Sequence, residues 1–199
     1  LENRELCSIS DNEIRKSEFK LKKFIDPIKV FQAKEIITAA RNETCKEYQD
    51  PMSSASQITE QIYLGPHTVA RDRNQLEKLN ISAVISMTAE CGIIFPEDDT
   101  LEYFYQGDKL IEHECTIDDV VEIIDDVFEF ADEKLSNGTD KIFIHCVQGK
   151  TRSAAAVTYI LAKRGRMTIK DAYNFVKSKR DVNIPSNWLE ALQNHLDAN

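Results

Sequence analysis

Long hydrophobic runs, an excess of basic charge and paired cysteines are all missing from this chain of 199 residues. The longest apolar runs are far too short to span a bilayer. A net charge of −9 argues against a nucleic-acid partner and against general adhesion to an anionic membrane. We therefore expect a protein that neither inserts into membranes nor binds nucleic acid.

The cysteines show no pairing pattern. There are five, without a CxxC pair or regular spacing: Cys7, Cys45, Cys91, Cys115 and Cys146. An odd count and the absence of a signal peptide predict a reducing compartment, so we expect the cytoplasm, with the nucleus as a second candidate. No cluster of His, Cys and Asp has the spacing of metal ligands, so neither a metal nor another cofactor is expected.

One segment, residues 145–153 with the sequence HCVQGKTRS, carries the strongest chemical signal. The apolar run before it predicts a buried strand, and the alanine-rich stretch from Ala154 to Ala162 predicts a helix. The backbone N–H groups of the turn and the dipole of the helix converge on one point, which makes an anion cradle. In that field a thiol pKa near ~8.5 can fall to roughly 3.5–7.5. Arg152 adds a planar donor fork suited to phosphate oxygens. The pattern predicts phosphoryl transfer to the sulfur of Cys146.

These residues resemble the HCxxGxxRS signature of the cysteine-dependent protein phosphatases, and their flanks resemble the dual-specificity branch. The similarity extends from Ile58 to Leu196. It includes the opening strand and turn Ile62–Gly65, the helix-to-strand join Asn80–Ser86, and a closing segment with Lys179, Arg180, Pro185 and Leu189, although Ser186 stands where Asn is usual. The resemblance implies hydrolysis of phosphoserine, phosphothreonine and phosphotyrosine on proteins through a phosphocysteine intermediate, without a metal.

The resemblance also implies roles for single residues. Cys146 is the nucleophile, Arg152 binds the equatorial phosphate oxygens, and Ser153 helps the thiolate to leave in the second step. We expect His145 to hold the loop by hydrogen bonds and Gly149 to permit a turn that a side chain would obstruct. The predicted phosphate-binding residues are Val147, Gln148, Gly149, Lys150, Thr151, Arg152 and Ser153.

The general acid stays open. Members of the family carry an Asp on a loop ahead of a long helix, and sliding our predicted helix Val120–Leu135 onto that pattern puts Glu114 in this position. If the loop is shorter than usual, Asp118 becomes the acid instead. Asp118 and Asp119 could also simply form the N-cap of the helix.

The chain divides near the polar stretch 50–56, which predicts a linker. We expect an N-terminal extension over residues 1–56, with one amphipathic helix over residues 27–48, and a catalytic domain over residues 57–199. Strands and helices alternate in the second part. This predicts an α/β fold, with a twisted, mostly parallel central sheet flanked by helices, as in the cysteine phosphatases. The predicted elements are strand Gln61–Leu64, helix Asp72–Leu79, strand Ala83–Met87, a hairpin-like region Glu90–Gly107, a possible strand Leu110–Cys115, helix Val120–Leu135, a strand ending at Cys146, and helices Arg152–Arg164, Ile169–Ser178 and one from Ser186.

The substrate is expected to be a phosphoprotein. The single tryptophan is Trp188, so the Trp-Pro-Asp loop of the large tyrosine-specific phosphatases is absent, and a shallow, dual-specificity pocket is favoured. Lys22-Lys23 followed by Ile28-x-Val30 fits a MAP kinase docking peptide, which makes a MAP kinase a candidate partner. The same residues could instead lead into a helix that packs on the catalytic domain.

Two other functions remain open. Lys150 in the cradle is a feature of phosphoinositide phosphatases, although Val147 stands where those enzymes add a second basic residue. Alternatively, the chain could be an impaired phosphatase fold that binds phosphoproteins without turning them over. The chain begins at Leu1 rather than Met, which leaves open whether it is a fragment of a longer protein.

Overall fold

The computed structural model describes residues 53–89, 91–105, 110 and 115–198. Within these ranges, strands and helices alternate as the sequence predicts, and most of their ends lie within one or two residues of the expected positions. In chain order the elements are β1 (Ser56–Gln57), β2 (Ile62–Pro66), α1 (His67–Ala70), α2 (Arg73–Lys78), β3 (Ala83–Ser86), β4 (Glu102–Tyr105), α3 (Ile117–Ser136), β5 (Ile142–Cys146), α4 (Arg152–Gly165), α5 (Ile169–Lys179) and α6 (Ser186–Ala198).

The five strands form one sheet in the order β1-β2-β5-β3-β4. All neighbours are parallel except β1, which runs antiparallel to β2. β5 lies at the centre, with Pro66 of β2 paired to Cys146 and Ser86 of β3 paired to His145. The mostly parallel α/β fold expected from the sequence is thus confirmed. The topology also places Cys146 at the carboxyl end of the central strand, where α/β sheets usually bind ligands.

Both faces of the sheet are covered, and the side-chain alternation of β5 shows why. Ile142, Ile144 and Cys146 point into a large core shared with helices α3 to α6. Phe143 points the other way, into a smaller core with Val69 of α1 and Leu76 of α2. Because both faces are buried, the strand is a continuous apolar run rather than an alternating one. Cys146 is therefore held on a strand that packing fixes on both sides.

The long helix begins earlier than the sequence predicts. It starts at Ile117, and its N-cap is Thr116 rather than Asp118 or Asp119. The backbone N–H of Asp119 donates to the Thr116 hydroxyl (3.4 Å), and the Asp119 carboxylate accepts from the Thr116 backbone N–H (2.6 Å). This reciprocal capping box satisfies two N–H groups at once, which a single Asp cap would not do. Asp118 is exposed in the first turn.

The expected hairpin over Glu90–Gly107 is wrong. Residues Glu102–Tyr105 form β4, an edge strand that pairs in parallel with β3. A parallel pair needs a crossover of about a dozen residues, and the stretch 87–101 supplies it. The expected linker also ends differently, since Ser56 belongs to β1 and pairs with Leu64.

Several expectations fall outside the described residues. These are the helix over residues 27–48, Glu114, and most of the possible strand Leu110–Cys115. Among the helices that the structure does describe, none combines the length and the apolar character needed to cross a membrane.

Candidate active site

The site is built where β5 ends and α4 begins. Residues 147–151, which we call the cradle loop, join the two elements, and Cys146 before the loop is only 3% exposed. The start of α4 can lie this close to the sheet because Ala154, Ala155 and Ala156 are small and fully buried. The helix N-terminus therefore points at the Cys146 thiol with the positive end of its dipole.

Gly149 makes the tight loop possible. Its φ is +69°, a left-handed conformation that residues with a side chain rarely adopt. A β-carbon at this position would also lie within about 2.5 Å of the carbonyl oxygen of Gly65. Both the backbone angle and the available space therefore require glycine, and the Gly149 backbone N–H can approach Cys146 Sγ at 3.3 Å.

The thiol of Cys146 lies in an environment that favours its ionised form. Burial raises the pKa of a thiol, but the Ser153 hydroxyl, the charge of Arg152 and the Gly149 N–H outweigh burial and lower the pKa of Cys146. The Ser153 hydroxyl donates to Sγ at 3.2 Å. A thiolate stabilised in this way is the nucleophilic form of cysteine.

Arg152, the first residue of α4, is buried beside the thiol, with 5% of its surface exposed. Its Nη1 donates to the backbone carbonyl of Leu110 (2.5 Å) and to the Thr88 hydroxyl (3.3 Å). These two contacts hold the guanidinium beside Cys146. The planar fork is therefore held in place at the site, ready to bind an oxyanion.

A cavity of about 220 Å³ lies over Cys146. Its walls combine residues of the cradle loop with side chains from elsewhere in the fold. The lining residues are Cys115, Cys146, Gln148, Lys150, Thr151, Arg152 and Trp188. The structure thus brings most of the predicted phosphate-binding residues to one cavity. Gly149 and Ser153 contact Sγ directly, whereas Asp118 is exposed and does not line the cavity.

Lys150 is engaged by a neighbour. Its Nζ lies 3.5 Å from the carboxylate of Asp181, although it also lines the cavity. The pair is solvent-accessible and therefore weak. Even so, the carboxylate offsets part of the positive charge that Lys150 would present to a ligand.

His145, which we expect to hold the loop by hydrogen bonds, lies in the strand directly before Cys146. Its ring is buried and stacks on Phe143, with centroids 5.7 Å apart, and its Nδ1 has no hydrogen-bond partner in the described part of the chain. Burial lowers the pKa of His145 to about 3, so the ring is neutral at physiological pH. A hydrogen bond with the Cys146 backbone favours the charged ring but does not outweigh burial. The ring supports β5 by packing on Phe143, and the Met87 backbone N–H donates to the His145 carbonyl (2.8 Å).

Sequence reasoning missed the residues that hold the cradle loop from outside. Arg180 and His67 bind its carbonyl oxygens with their side chains, and Asn183 binds one with its backbone N–H. Arg180 belongs to the closing segment of the family resemblance, but nothing local to residue 180 indicates a contact 31 residues away. The sequence likewise gives no sign that Trp188 lines the cavity, because its place in the wall depends on how α6 packs.

No group of three or more His, Cys, Asp or Glu side chains within the described ranges is arranged to hold a metal ion. The chemistry available at this site comes from the thiol, the guanidinium, the hydroxyl and the backbone N–H groups. Together these groups can bind a tetrahedral oxyanion and present a nucleophile to its central atom.

Comparison with known proteins places this geometry in a family. Residues 62–197 match the dual specificity phosphatase catalytic domain. The chain is 30% identical over 131 residues to the protein-tyrosine-phosphatase MKP1 of Arabidopsis thaliana. It is 28% identical over 144 residues to the dual specificity protein phosphatase 1 of the same organism. The two alignments cover 66% and 72% of this chain. The chain spans 16% of the first relative's length and 69% of the second's.

A solved structure shows the same fold. The crystal structure of PTPMT1 in complex with PI(5)P is similar with a TM-score of 0.59 at 18% identity, over 72% of this chain and 95% of that one. Because the family match extends over more than half of the sequence and includes the whole Cys146 site, this chain belongs to the dual-specificity phosphatase family.

Proposed function

We propose that this chain hydrolyses phosphate monoesters on proteins through a phosphocysteine intermediate. The observation that carries the proposal is the environment of Cys146 Sγ, which accepts hydrogen bonds from Gly149 N–H (3.3 Å) and Ser153 Oγ (3.2 Å) next to the buried Arg152. A buried thiol with a lowered pKa at a helix N-terminus suits nucleophilic attack better than a structural role.

In the first step the Cys146 thiolate attacks phosphorus, an S–P bond forms, and the bond from phosphorus to the substrate oxygen breaks. The leaving oxygen takes a proton from a general acid, for which Glu114 is the first candidate and Asp118 the second. Arg152 and the loop N–H groups stabilise the charge on the equatorial oxygens. In the second step water attacks phosphorus, the S–P bond breaks, and inorganic phosphate and the thiolate are released. The Ser153 hydroxyl then stabilises the returning thiolate.

The proposed substrates are proteins phosphorylated on serine, threonine or tyrosine. A cavity of about 220 Å³ with Cys146 as one of its lining residues suits a side chain that brings a single phosphoryl group to the thiol. Trp188 and Cys115 give the cavity an apolar wall, which a phenyl ring can contact. Family membership supports dual specificity as well.

A phosphoinositide substrate is less well supported. The sequence argument for it was Lys150, and that side chain lies beside the Asp181 carboxylate. Position 147, directly after Cys146, carries Val rather than the second basic residue of phosphoinositide phosphatases, and the Val147 carbonyl is directed at His67. PTPMT1, which was crystallised with PI(5)P, is similar to this chain in fold at 18% identity, and that similarity carries no substrate with it.

We further propose a MAP kinase as the protein partner and the cytoplasm or nucleus as the location. The support is the Lys22-Lys23 and Ile28-x-Val30 pattern in the extension, together with the 30% identity to MKP1. Replacing both lysines by alanine should weaken binding to a phosphorylated MAP kinase and leave turnover of a small aryl phosphate unchanged. The control is Lys177→Ala with Lys179→Ala, which removes the same charge from α5. Equal loss of kinase binding in both variants would contradict docking through the extension.

Substitution of the nucleophile tests the phosphatase proposal itself. Cys146→Ser should abolish turnover of an aryl phosphate and of phosphothreonine and phosphotyrosine peptides, while binding of the peptides stays measurable because the cradle is intact. Acid quenching of the wild-type enzyme during turnover should yield a chain heavier by one phosphoryl group at Cys146. Cys91→Ser is the matched control, because Cys91 is also buried but does not line the cavity. Peptide binding by the wild type without any turnover would instead support the phosphoprotein-binding function.

A further inference from the structure

Four consecutive carbonyl oxygens of the cradle loop accept hydrogen bonds from donors outside the loop. The donors come from two places in the fold, the start of α1 and the segment that follows α5. The bonds are Val147 O from His67 Nδ1 (2.8 Å) and His67 N (3.2 Å), Gln148 O from Arg180 Nη2 (3.3 Å), Gly149 O from Arg180 Nε (2.9 Å), and Lys150 O from Asn183 N (3.0 Å).

The direction of these carbonyls determines the direction of the N–H groups. In a planar trans peptide, the carbonyl of one residue and the N–H of the next point to opposite sides. Outward carbonyls at residues 147–150 therefore turn the N–H groups of residues 148–151 inward, towards the space over Cys146. One of the four is observed directly, since Gly149 N–H lies 3.3 Å from Cys146 Sγ. The donors outside the loop thus fix the direction of the N–H groups that form the anion cradle.

Arg180 is the central donor in this arrangement. Only 4% of its surface is exposed, and a buried guanidinium is stable only when its N–H groups are bonded. Two nitrogens bind the loop carbonyls of Gln148 and Gly149. Nη1 binds the Ser54 carbonyl (2.8 Å) and the Ser56 hydroxyl (3.1 Å) in the segment that enters the sheet. A single side chain therefore joins the cradle loop to the entry into the catalytic domain.

We propose that Arg180 and His67 are positioning residues, which hold the cradle loop so that its N–H groups face the transferring phosphoryl group, and that Ser56 acts on the loop through Arg180. This inference rests on the proposed phosphatase function. His67 Nδ1 must carry the hydrogen, because its partner is a carbonyl that can only accept. Both side chains bind carbonyl oxygens of the cradle loop, so both act through the loop.

Arg180→Lys is the main test in the full chain. A lysine cannot reproduce a planar fork that reaches two carbonyls and the entry segment. The N–H groups of the cradle loop should therefore no longer point towards the space over Cys146. We expect kcat for an aryl phosphate to fall roughly ten- to a hundredfold, as for a misplacement of about 1 Å. The pH midpoint for alkylation of Cys146 by iodoacetamide should move upward, because the thiolate loses hydrogen-bond donors. Mass spectrometry of the Cys146 peptide separates this thiol from the other four.

The alkylation profile separates positioning from a merely structural role. A structural role would lower the folded fraction and leave the midpoint of the folded protein unchanged, and that result would overturn the proposal. Arg164→Lys is the matched control. Arg164 is an exposed arginine at the C-terminal end of α4, far from Cys146 in that helix, and it pairs with Asp132 of α3. Its midpoint and kcat should equal those of the wild type. If the wild type shows no turnover, the proposed function fails, whereas the midpoint shift still tests the positioning of the thiol.

His67 and Ser56 give a second, milder series in case Arg180→Lys does not fold. His67→Ala removes the Nδ1 donor and should raise the alkylation midpoint, while His67→Asn keeps an N–H donor near that point and should restore it. Ser56→Ala removes one partner of Arg180 without touching the loop, and should shift the midpoint in the same direction by a smaller amount. Identical midpoints in all three variants and the wild type would overturn the proposal.

Discussion

The Ser153 hydroxyl lies 3.2 Å from Cys146 Sγ, and both side chains are buried. Ser153 is the second residue of α4, so the same helix that directs its N-terminus at the thiol also carries a hydroxyl to it. The relationship connects the two half-reactions. In the resting enzyme the hydroxyl stabilises the thiolate, and in the second half-reaction it stabilises the sulfur as its bond to phosphorus breaks.

Ser153→Ala should therefore slow the second step more than the first. A hydrogen bond to a charged group contributes about 1.5–3 kcal/mol, which corresponds to a loss of roughly ten- to a hundredfold in the rate of phosphocysteine hydrolysis. Rapid mixing with an aryl phosphate should then show a burst of one phenol per enzyme, followed by slow turnover. Thr158→Ala is the control, since Thr158 has a buried hydroxyl on the same helix that bonds to no described group. A variant without a burst would mean that the hydroxyl does not serve the second step.

Arg152→Lys tests the guanidinium. We expect kcat to fall roughly 10²–10³-fold, because a point charge cannot give two parallel hydrogen bonds to the equatorial oxygens in the transition state. The Leu110 carbonyl and Thr88 hydroxyl would also lose the donor that they share. Steady-state kinetics with an aryl phosphate checks this, with Arg166→Lys at the end of α4 as the control. An unchanged kcat/KM would show that Arg152 supports the fold and not the reaction.

Gly149→Ala should remove activity and lower stability together. The alanine would need a left-handed φ near +69° and would place its β-carbon against the backbone of Gly65, which cannot move aside like a flexible side chain. We expect a loss of roughly 1–3 kcal/mol in the free energy of unfolding and little turnover. Gly138→Ala is the informative control, because Gly138 has a similar φ of +77° but no atom within 4 Å of its would-be β-carbon. If both variants lose the same stability and Gly149→Ala stays active, the close approach to Gly65 does not matter.

The sequence allows the local parts of this molecule to be predicted and leaves out the contacts between distant parts. The apolar run into Cys146 and the alanines after Arg152 are local patterns, so β5 and α4 lie where they were expected. The capping box is also a local pattern, but Thr116, Asp118 and Asp119 are all residue types that favour an N-cap, so the pattern alone does not select Thr116. The expected start of the helix is therefore three residues too late.

Two failures have a different cause. The residues of β4 resemble part of a hairpin, because no local pattern indicates the crossover connection that makes β4 parallel to β3. The role of Arg180 depends on carbonyls at positions 148 and 149, and only the folded chain brings these groups together. Backbone carbonyls have no residue-type signature, so a side chain that binds them is not marked in the sequence.

Kinetic measurements on two variants can identify the general acid, for which Glu114 and Asp118 are the candidates. Glu114→Gln and Asp118→Asn should be compared on a good and a poor leaving group. Loss of the true acid should cost roughly 10²–10⁴-fold on an alkyl phosphate and far less on an activated aryl ester, whose oxygen leaves without a proton. We expect Glu114→Gln to show this contrast and Asp118→Asn, which changes an exposed side chain on the first turn of α3, to behave like the wild type. The reverse result would assign the acid to Asp118.

Asp125 offers a prediction about stability and pH, away from the catalytic site. Its carboxylate accepts hydrogen bonds from Tyr159 OH and Lys163 Nζ at 2.8 Å and lies 2.8 Å from His195 Nε2, so it links α3, α4 and α6. Burial raises the pKa of Asp125, but the hydrogen bonds from Lys163, Tyr159 and His195 outweigh burial and lower it to about 2. Since the folded pKa lies below the unfolded value of 3.8, the ionised carboxylate stabilises the fold above that pH.

Asp125→Asn should accordingly lower the free energy of unfolding near neutral pH and lose this effect in acid. Because the Asp125 side chain is 39% exposed, we expect a difference of roughly 1 kcal/mol rather than the full value of the shift. Below pH 5 the difference should fall to about half near pH 3 and vanish as the pH drops through 2, since protonated Asp125 no longer attracts Lys163. Urea unfolding at a series of pH values measures it, and Glu129→Gln, an exposed carboxylate one turn further along α3, is the control. A difference that persists unchanged at pH 3 would mean that Asp125 stabilises the three helices by its shape and neutral hydrogen bonds, and not by its charge.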